Sequence, residues 1–510
     1  MSLFSKFALA AEKNPQKTAL VFDDRFFSYK ELAEGVKKLS AGLRQFGVVK
    51  GTHIGVMLEN SVEFVQLVFA AADIGAVIVT FYETLSVEDF AMGLKSADVT
   101  YIVSRKGYLQ GYFDTLGQEF PIKRENVVCV GPSLEGMVSW EGLVCEEGLE
   151  DTREMGGDED DFFIVLTSGS TGAPKPIVIS QGAEVRRCAG AWEMHGLRDD
   201  DVVLISTPLH HSLALFAILL AFYYGLTAVL MKRFTKEAFL EVIQRYGATY
   251  AVSTSDQLSR VVEEFENGGS GKLRVTLATS SPVKGNLRER LLETPCGLYE
   301  CYGTTETGFA TNIGPEEIKR NPRTVGRACP GVEIFITDDD MRPIPAGDVG
   351  EIVIRTPLMF SRYYKNPEAT AKSLIDGCFY SGDLGRMDED GYVYYIGRKK
   401  ELIKSGGISV FPLDIENVLN RHPKVKESAV IGIEDKQRGE AVFALVMPKE
   451  WNGLSEDELR AFCAANLADH QQPVAFEFVE DFPRSGPGKI MKKVLVEKYK
   501  KVNINKRFPG

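Results

Sequence analysis

Short apolar runs rich in β-branched residues alternate with helical patterns through roughly the first 300 residues of the chain. Runs of this kind lie at residues 53–58, 202–206, 227–231 and 274–280. Continuous apolar strands separated by helices are typical of parallel sheets that are covered on both faces. The pattern therefore predicts an α/β fold built on doubly wound parallel sheets.

The pattern changes twice further along the chain. Between residues 324 and 397, short strands and turns predict a small β-rich subdomain. Beyond residue 397, an amphipathic pattern predicts a helix at 412–422 and strands at 427–433 and 441–448. These elements indicate a compact α+β unit of about 110 residues, a usual size for a separate domain.

One uncharged stretch, residues 212–231, is long enough to cross a bilayer. Gly225 divides it into a helix-length piece and a strand-length piece. The same arrangement recurs at residues 65–81, where Asp73 argues against contact with lipid. We therefore expect buried core elements here and no membrane span.

Composition narrows the class of protein. The 510 residues are 44% hydrophobic and 25% charged, which is typical of globular proteins and excludes fibrous or wholly disordered ones. The net charge of −12 disfavours nucleic-acid binding, which needs a basic face. The eight cysteines are scattered without a CxxC pair, which favours a reducing compartment, and the apolar run before Glu12 is too short for a signal peptide. We expect a cytoplasmic protein.

A loop rich in glycine and hydroxyl residues lies between two apolar runs and reads LTSGSTGAPKPIVIS at residues 166–180. Small residues let backbone N–H groups approach an anion closely, and Lys175 adds a positive charge. The GK[ST] sequence of a Walker A loop is missing. On these residues alone, both an anion-binding loop and an ordinary turn remain open.

Five motifs together resemble those of the adenylate-forming superfamily, which includes acyl- and aryl-CoA synthetases, luciferases and peptide-synthetase adenylation domains. The motifs follow the order of that family, and the resemblance covers essentially the whole chain. One departure is Pro176, which stands where the family usually has glycine. The motifs are STGAPK (170–175), YGTTET (302–307), YSGDLG (380–385), GRKKELIKSGG (397–407) and PRSGPGK (483–489).

The resemblance implies an ATP-dependent carboxylate–CoA ligase of the AMP-forming type. Such an enzyme forms an acyl-adenylate and pyrophosphate, and then an acyl-CoA thioester and AMP. The implied fold has a large N-terminal domain, residues 1–397, of two doubly wound αβα subdomains and a small β-barrel-like subdomain. A small mobile α+β domain spans residues 398–510. The implied substrates are a small carboxylic acid, ATP and coenzyme A, with Mg²⁺ as cofactor.

The resemblance also assigns the ATP site residue by residue. Thr305 would bond the α-phosphate and Glu306 would bind Mg²⁺, both as catalytic residues. Tyr302 would stack on adenine, while Asp383 and Arg398 would bind the ribose. The motif that contains Asp383, YSGDLG, is expected to form a tight turn after the strand CFY. The remaining residues that the resemblance places around ATP and AMP are Thr167, Ser168, Gly169, Ser170, Thr171, Gly172, Lys175, Ser280, Ser281, Gly303 and Thr304.

The two half-reactions require different groups from the C-terminal domain. By resemblance, Lys489 is catalytic in adenylation, and the domain then rotates about the hinge residue Lys400. The rotation would bring a loop to the acyl group, and this loop would form a channel for the pantetheine arm. The residues of the channel are Lys404, Ser405, Gly406 and Gly407, and Lys404 would also be catalytic. The lysines after Lys489 are interpreted as a solvated helix face and tail; they are Lys492, Lys493, Lys498, Lys500 and Lys501.

The resemblance places four residues in the acyl pocket: His211, Ser280, Cys301 and Phe309. Residues 208–215 lack the aspartate with which amino-acid-activating relatives bind the α-amino group, so a simple carboxylic acid is favoured. Ser280 and Phe309 replace smaller residues and should shorten the pocket. We therefore expect a compact aryl, alicyclic or short-to-medium aliphatic acid.

Several alternatives stay open on the sequence. Arg186 and Arg187 could pair with a second carboxylate of a diacid, but a solvated helix face is favoured. The thiol acceptor could be the phosphopantetheine of a carrier protein, which would make the chain an acyl- or aryl-AMP ligase. A catalytically inactive nucleotide-binding scaffold is a third alternative, disfavoured because the motif residues are intact. The oligomeric state is open, a homodimer being one arrangement.

Overall fold

The computed structural model describes residues 2–144, 156–167, 175–279, 283, 286–451, 453–484 and 490–500. Helices and strands alternate up to residue 313. In chain order they are α1 (Leu3–Lys13), β1 (Thr18–Phe22), β2 (Arg25–Ser28), α2 (Tyr29–Gln45), β3 (His53–Met57), α3 (Val62–Ile74), β4 (Val77–Thr80), α4 (Val87–Ser96), β5 (Tyr101–Ser104), α5 (Lys106–Leu116), β6 (Val127–Cys129), β7 (Val138–Ser139), α6 (Trp140–Leu143), β8 (Asp161–Thr167), β9 (Lys175–Ser180), α7 (Gln181–His195), β10 (Val202–Ile205), α8 (Ser212–Tyr223), β11 (Thr227–Leu230), α9 (Lys236–Tyr246), β12 (Tyr250–Ser253), α10 (Ser255–Glu266), β13 (Val275–Ala278), α11 (Leu287–Leu292), β14 (Gly297–Thr304) and β15 (Gly308–Ile313).

Residues 315–398 form shorter elements, and the chain ends in a small α+β unit. The first group comprises α12 (Pro315–Arg320), β16 (Arg327–Ala328), β17 (Glu333–Thr337), β18 (Gly350–Arg355), β19 (Arg362–Tyr363), α13 (Pro367–Ser373), β20 (Leu374–Ile375), β21 (Cys378–Met387) and β22 (Val393–Arg398). The second comprises β23 (Ile403–Ser405), β24 (Ile408–Val410), α14 (Pro412–Leu419), β25 (Val425–Asp435), β26 (Gly439–Pro448), α15 (Glu456–Asn466), β27 (Ala475–Phe478) and α16 (Lys492–Tyr499). Short 3-10 helices lie at Gly117–Glu119, Arg124–Asn126, Lys399–Glu401 and Asp469–Gln471.

Two large sheets form the N-terminal part of the molecule. One has eight strands in the order β19-β9-β8-β4-β3-β5-β6-β7, and the other has nine in the order β16-β15-β14-β13-β12-β10-β11-β1-β2. The central strands of both sheets pair in parallel, while β9 and β19 in one sheet and β2, β15 and β16 in the other pair antiparallel. The prediction of doubly wound parallel sheets is confirmed.

Helices α1, α2, α3 and α8 supply a shared apolar core for these two sheets. The rings of Phe7 and Phe69 lie 4.7 Å apart, and that of Phe222 on α8 lies 5.4 Å from Phe69. The hydroxyl of the buried Tyr29 donates to the carbonyl of Leu226 at 2.7 Å. Residues 213–222 of helix α8 are all buried in this core, which agrees with a helix that has apolar side chains on every face. No described helix has the length and apolar character that a bilayer crossing requires.

Two smaller sheets complete the fold. Strands β17, β18, β21 and β20 form an antiparallel sheet to which β22 adds beside β21, as the β-rich pattern predicts. In the C-terminal unit, β24, β23, β26 and β25 form the last sheet, and β27 pairs in parallel with β26. The predicted helix and strands after residue 397 are confirmed. The domain boundary between residues 397 and 398 stays a prediction.

Candidate adenylation site

The motif YGTTET spans the last three residues of β14 and the turn that leads to β15. The backbone N–H of Thr304 donates to Thr307 Oγ1 at 3.1 Å, and the N–H of Thr307 donates back to Thr304 Oγ1 at 3.3 Å. A Cβ atom on Gly303 would lie 1.9 Å from the carbonyl oxygen of Gly308, so the two strands can approach this closely only with glycine there. Thr305 and Glu306, the two residues between Thr304 and Thr307, lie at the tip of this turn.

Glu306 is held at this tip by a neighbouring segment. Its carbonyl accepts the backbone N–H of Phe360 at 2.6 Å, and its Oε1 accepts the hydroxyl of Tyr363 at 2.8 Å. Tyr363 belongs to β19, which pairs with β9, the strand that begins at Lys175. The Nζ of Lys175 lies 5.6 Å from the centre of the Tyr363 ring. The predicted phosphate-binding lysine and the predicted Mg²⁺ ligand therefore lie close to the same tyrosine, one at its ring and the other at its hydroxyl.

Asp383 lies in a cluster of three polar side chains. It is 1% exposed, its Oδ1 is 2.8 Å from Arg398 Nε, and its Oδ2 accepts the hydroxyl of Tyr302 at 2.7 Å. Burial and the neighbouring carboxylate raise the pKa of Tyr302 well above its usual value, so the hydroxyl remains a donor. The Tyr302 ring is 5.8 Å from that of Tyr395. Three residues predicted to bind AMP are thus joined by one ion pair and one hydrogen bond.

The position of Asp383 in the fold corrects one expectation. The motif YSGDLG was predicted to be a tight turn after a strand, and this prediction is wrong, because β21 continues through the motif to Met387. The strand is irregular at this point: Gly382 has φ +70°, and the pairing with β18 shifts register. A bulge of this kind redirects side chains within a strand, and here it lies directly before Asp383.

Other predicted nucleotide-binding residues divide into two groups. Thr167 and Lys175 face each other across the pair β8–β9, and Pro176, the departure from the family pattern, is the second residue of β9. Its carbonyl accepts the N–H of Tyr364 at 2.8 Å. The remaining predicted residues lie outside the described part of the chain; they are Ser168, Gly169, Ser170, Thr171, Gly172, Ser280, Ser281 and Lys489.

The predicted CoA-channel residues form the exposed hairpin between β23 and β24. Gly406 and Gly407 have φ +59° and +82°. The backbone N–H of Lys404 donates to Oε2 of Glu440 at 2.6 Å, and the Nζ of Lys404 donates to Oγ of Ser409 at 3.0 Å. Within the described residues, no hydrogen bond joins this hairpin to Thr305, Glu306 or Asp383. The structure therefore does not place the predicted channel and the adenylation site together.

Lys400, the predicted hinge, belongs to the 3-10 helix that follows β22. Partial burial and the positive charges of Arg398 and Lys175 lower its pKa. The Lys400 side chain is therefore close enough to these two predicted nucleotide-binding residues for their charges to affect its pKa. Its role as a hinge stays a prediction.

The acyl-pocket residue His211 directly precedes helix α8. Its Nδ1 lies 3.4 Å from the hydroxyl of Tyr82, and its ring contacts that of His210 at 4.5 Å. Burial lowers the pKa of His211 to about 4 and that of His210 to about 3. Both imidazoles are therefore neutral at pH 7. The described residues contain no group of three or more His, Cys, Asp or Glu side chains that could hold a metal ion.

Phe309 and Cys301 lie on the hairpin β14–β15. The Phe309 ring meets that of Phe216 on α8 edge to face, with centres 4.9 Å apart. Cys301 is half-buried, and its Sγ contacts Oδ1 of Asn312 at 3.2 Å. Helix α8, which His211 precedes, therefore packs against this hairpin through Phe216 and Phe309, and the acyl pocket itself stays a prediction.

Two residues predicted to lie on solvated helix faces are largely buried instead. Arg187 is 7% exposed, and its Nη2 donates to the carbonyl of Thr305 at 3.0 Å, whereas its neighbour Arg186 is exposed as expected. Lys492 is only 16% exposed and lies 2.7 Å from Glu416. The solvated interpretation is wrong for Arg187 and Lys492 because each has a buried carboxylate partner. For Arg187 the available signal was a glutamate three residues earlier on the same helix.

Comparisons with known proteins agree over almost the whole chain. A family model described as "AMP-binding enzyme" matches residues 7–364, and one described as "AMP-binding enzyme C-terminal domain" matches residues 414–489. The indoleacetate–CoA ligase of Aromatoleum aromaticum is 30% identical over 486 residues, which cover 94% of each chain. The crotonobetaine/carnitine–CoA ligase of Salmonella typhimurium is 33% identical over 504 residues, covering 94% of this chain and 96% of that one.

A solved structure shares the fold. The o-succinylbenzoate CoA synthetase of Bacillus subtilis, in complex with its acyl-adenylate intermediate, superposes with a TM-score of 0.86 at 25% identity. The match covers 97% of this chain and 98% of that one. The same enzyme in complex with ATP and a magnesium ion gives a TM-score of 0.85, covering 95% and 98%.

Proposed function

Because the chain belongs to the family of AMP-binding enzymes, it is an AMP-forming carboxylate–CoA ligase, and we propose that the site around Glu306 and Asp383 adenylates a compact carboxylic acid. The supporting observation is the convergence of these two carboxylates with Lys175 and Arg398 around one turn. A nucleoside triphosphate offers matching groups, namely ribose hydroxyls and a chain of phosphates. The roles of individual residues below belong to this proposal.

Asp383 would bind the ribose hydroxyls. Each carboxylate oxygen has two acceptor positions, so an oxygen that already meets Tyr302 or Arg398 can still accept a hydroxyl. Those two contacts also fix the direction of the carboxylate, since Arg398 lies on the neighbouring strand β22 and Tyr302 on β14 of another sheet. Tyr302 would present its ring to adenine, and its raised pKa keeps the hydroxyl on Asp383 in the protonated form. The nucleoside would therefore be held by groups that are already in place.

Adenylation brings a carboxylate to the α-phosphorus of ATP, and these two groups repel each other. Preorganised donors and positive charges lower this barrier. Thr305, at the tip of the β14–β15 turn, would donate to the α-phosphate, and Lys175 with the loop 167–172 would hold the β- and γ-phosphates that leave as pyrophosphate. By resemblance, Lys489 would approach from the C-terminal domain and neutralise charge on the attacking carboxylate.

The side chains at the turn fit a magnesium ion. Mg²⁺ prefers oxygen ligands and is commonly bound by one or two carboxylates together with substrate phosphates. Glu306 offers a carboxylate oriented by Tyr363, with the hydroxyl of Thr305 beside it in the chain. When bound, the ion would offset the negative charge of the departing pyrophosphate.

The acid would be compact and would carry no α-amino group. Phe309 and Phe216 pack against each other where a longer chain would have to pass. The neutral His211 can orient a carboxylate by a hydrogen bond but offers it no charge. Two relatives are named for the aryl acids indoleacetate and o-succinylbenzoate, and a third is named for the short aliphatic acids crotonobetaine and carnitine, which supports a compact acid of either class.

Thioester formation would use the hairpin at residues 404–407 after rotation about Lys400. Two consecutive glycines with positive φ leave bare backbone on the exposed face of this hairpin, against which a pantetheine arm can lie. Free coenzyme A is favoured as the thiol, as in the named relatives. The described cysteines are free thiols, which supports a cytoplasmic location.

Pyrophosphate release measured over a panel of aryl, alicyclic and aliphatic acids tests this proposal. The expected result is acid-dependent release with Mg-ATP, greatest for compact acids, and formation of AMP and acyl-CoA when CoA is added. Faster acyl transfer to a holo-carrier protein than to CoA would favour the carrier-loading alternative. Binding of ATP without release for any acid would favour the inactive scaffold and contradict the proposal.

A further inference from the structure

Helix α7 contains an ion pair that is almost completely buried. Glu184 and Arg187 are 4% and 7% exposed, and Arg187 Nη1 lies 2.9 Å from Glu184 Oε1. Burial raises the pKa of Glu184 although Arg187 opposes this. Removing two charges from water costs more than a well-packed apolar pair would. The ion pair is therefore poorly explained by stability alone, and the other contacts of Arg187 suggest what it does.

The guanidinium of Arg187 also contacts the adenylation turn. Nη2 donates to the carbonyl of Thr305 at 3.0 Å, and Nε donates to the carbonyl of Leu358 at 3.1 Å. A Cβ atom on Gly308 would lie 2.8 Å from Arg187 Nε, so the guanidinium lies directly against the end of the turn. Arginine has five N–H donors in one plane, and here they join a helix, a turn and a loop.

The next residue of the same turn, Glu306, is held by the segment that follows Leu358. Phe360 donates its N–H to the carbonyl of Glu306, and Tyr363 donates its hydroxyl to the Glu306 carboxylate. Arg187 binds both Leu358 and the turn, so it sets the distance between the two parts that hold Glu306. The carbonyl of Thr305 thus accepts a hydrogen bond from Arg187, and the carbonyl of Glu306 accepts one from Phe360.

We propose that Arg187, oriented by Glu184, is a positioning residue that holds the backbone of Thr305 in the conformation that binds the α-phosphate. The inference rests on the proposed function, because it takes Thr305 to be the phosphate contact. Arg187 does not touch the nucleotide in this account: its donors are directed to Glu184 and to two carbonyls. Loss of Arg187 should therefore weaken the binding of the phosphate and leave the binding of the nucleoside unchanged.

The test compares AMP with adenosine as ligands of R187K, E184Q and the matched control R186K. Lysine keeps the charge of Arg187 but cannot bond all three partners from one plane. Arg186 is the adjacent, exposed arginine and donates to the carbonyl of Pro357 at 2.7 Å, so R186K controls for the change of residue type on the same helix. Dissociation constants come from calorimetric titration, with Tm as a measure of folding.

For R187K we expect AMP to bind about tenfold more weakly, the loss of one hydrogen bond to a charged group, with adenosine within about twofold. The KM for ATP should rise while the KM for the acid stays constant. E184Q should shift the same ratio in the same direction by less, because the amide oxygen still accepts from Arg187. R186K should match the unmodified enzyme in every measurement.

An equal loss of AMP and adenosine binding, or a fall in kcat alone, would show a purely structural role and overturn the inference. Unchanged AMP binding in R187K would overturn it as well. If R187K does not fold, the ratio of AMP to adenosine affinity in E184Q decides, and an unchanged ratio overturns the inference. If the unmodified protein neither binds AMP nor releases pyrophosphate with any acid, the proposed function itself fails.

Discussion

Replacing Phe309 by alanine should convert the preference for compact acids into one for longer chains. Phe309 lies on β15 and packs edge to face against Phe216, at 4.9 Å and an interplanar angle of 80°. Phe216 is 4% exposed and belongs to the core between the two large sheets. Truncating Phe309 therefore opens a cavity toward the interior, where an acyl chain can replace the lost ring.

The size of the change follows from the area that is buried. Each methylene group that enters an apolar cavity contributes about 0.8 kcal/mol, or about fourfold in kcat/KM. Three further methylenes should therefore raise kcat/KM about 60-fold for a chain that fills the space. A compact aryl acid loses its contact with the Phe309 ring, which is worth about 0.5–1.5 kcal/mol, so its kcat/KM should fall about two- to thirteenfold.

The assay measures kcat/KM for pyrophosphate release with benzoate, hexanoate, decanoate and palmitate. Phe309→Leu is the graded variant and should shift the profile less than Phe309→Ala. Phe26→Ala is the control, because Phe26 is 59% exposed on an edge strand and should leave the profile unchanged. The reasoning is refuted if the unmodified enzyme already prefers palmitate to benzoate and hexanoate, or if Phe309→Ala leaves the order of the acids as it was.

Three further predictions concern the half-reactions, the ribose contact and the dependence of stability on pH. Lys489→Ala should slow adenylation by about two to three orders of magnitude and spare thioester formation from supplied acyl-AMP, whereas Gly407→Leu should do the reverse. Separate assays of the two half-reactions check this, and equal losses in both would contradict domain alternation. Tyr302→Phe removes a hydrogen bond to a buried carboxylate, worth about 1.5–3 kcal/mol, so the KM for ATP should rise at least about tenfold; a matching rise in the KM for the acid would point to general damage. Burial lowers the pKa of His195 from 6.5 to about 4, so between these pH values the unfolded chain binds a proton that the folded chain does not. As the pH falls through that window, the free energy of unfolding should decrease by about 1.4 kcal/mol per pH unit. Urea unfolding of His195→Gln should show a dependence of this free energy on pH that is smaller by that amount.

The architecture could be predicted from the sequence because buried parallel strands are continuous apolar runs. The run at residues 227–231 became β11, and the uncharged stretch before it became α8, which is apolar on every face because both sheets cover it. The position of Asp383 could not be predicted in the same way. A glycine before it suggested a turn, whereas strand pairing on both sides of β21 carries the chain through as a bulged strand.

The supporting contacts of the site escaped prediction for a different reason. Tyr363 and Glu306 are 57 residues apart, and no local pattern marks a tyrosine that will donate to a distant carboxylate. Arg187 looked like a surface charge because its neighbour Arg186 is one. Only the packing of α7 against the β14–β15 turn separates the two, and packing of this kind depends on contacts that are remote in sequence.

Transfer of an oxygen atom from the acid to AMP tests the central claim most directly. If the carboxylate attacks the α-phosphorus and the thiol then attacks the acyl carbon, one carboxylate oxygen remains on the phosphate. The acid labelled with oxygen-18 in its carboxylate is incubated with the enzyme, Mg-ATP and CoA, and the products are analysed by mass spectrometry. The account predicts one labelled oxygen in each AMP and none in the pyrophosphate. Unlabelled AMP, or label in the pyrophosphate or in free phosphate, would contradict it.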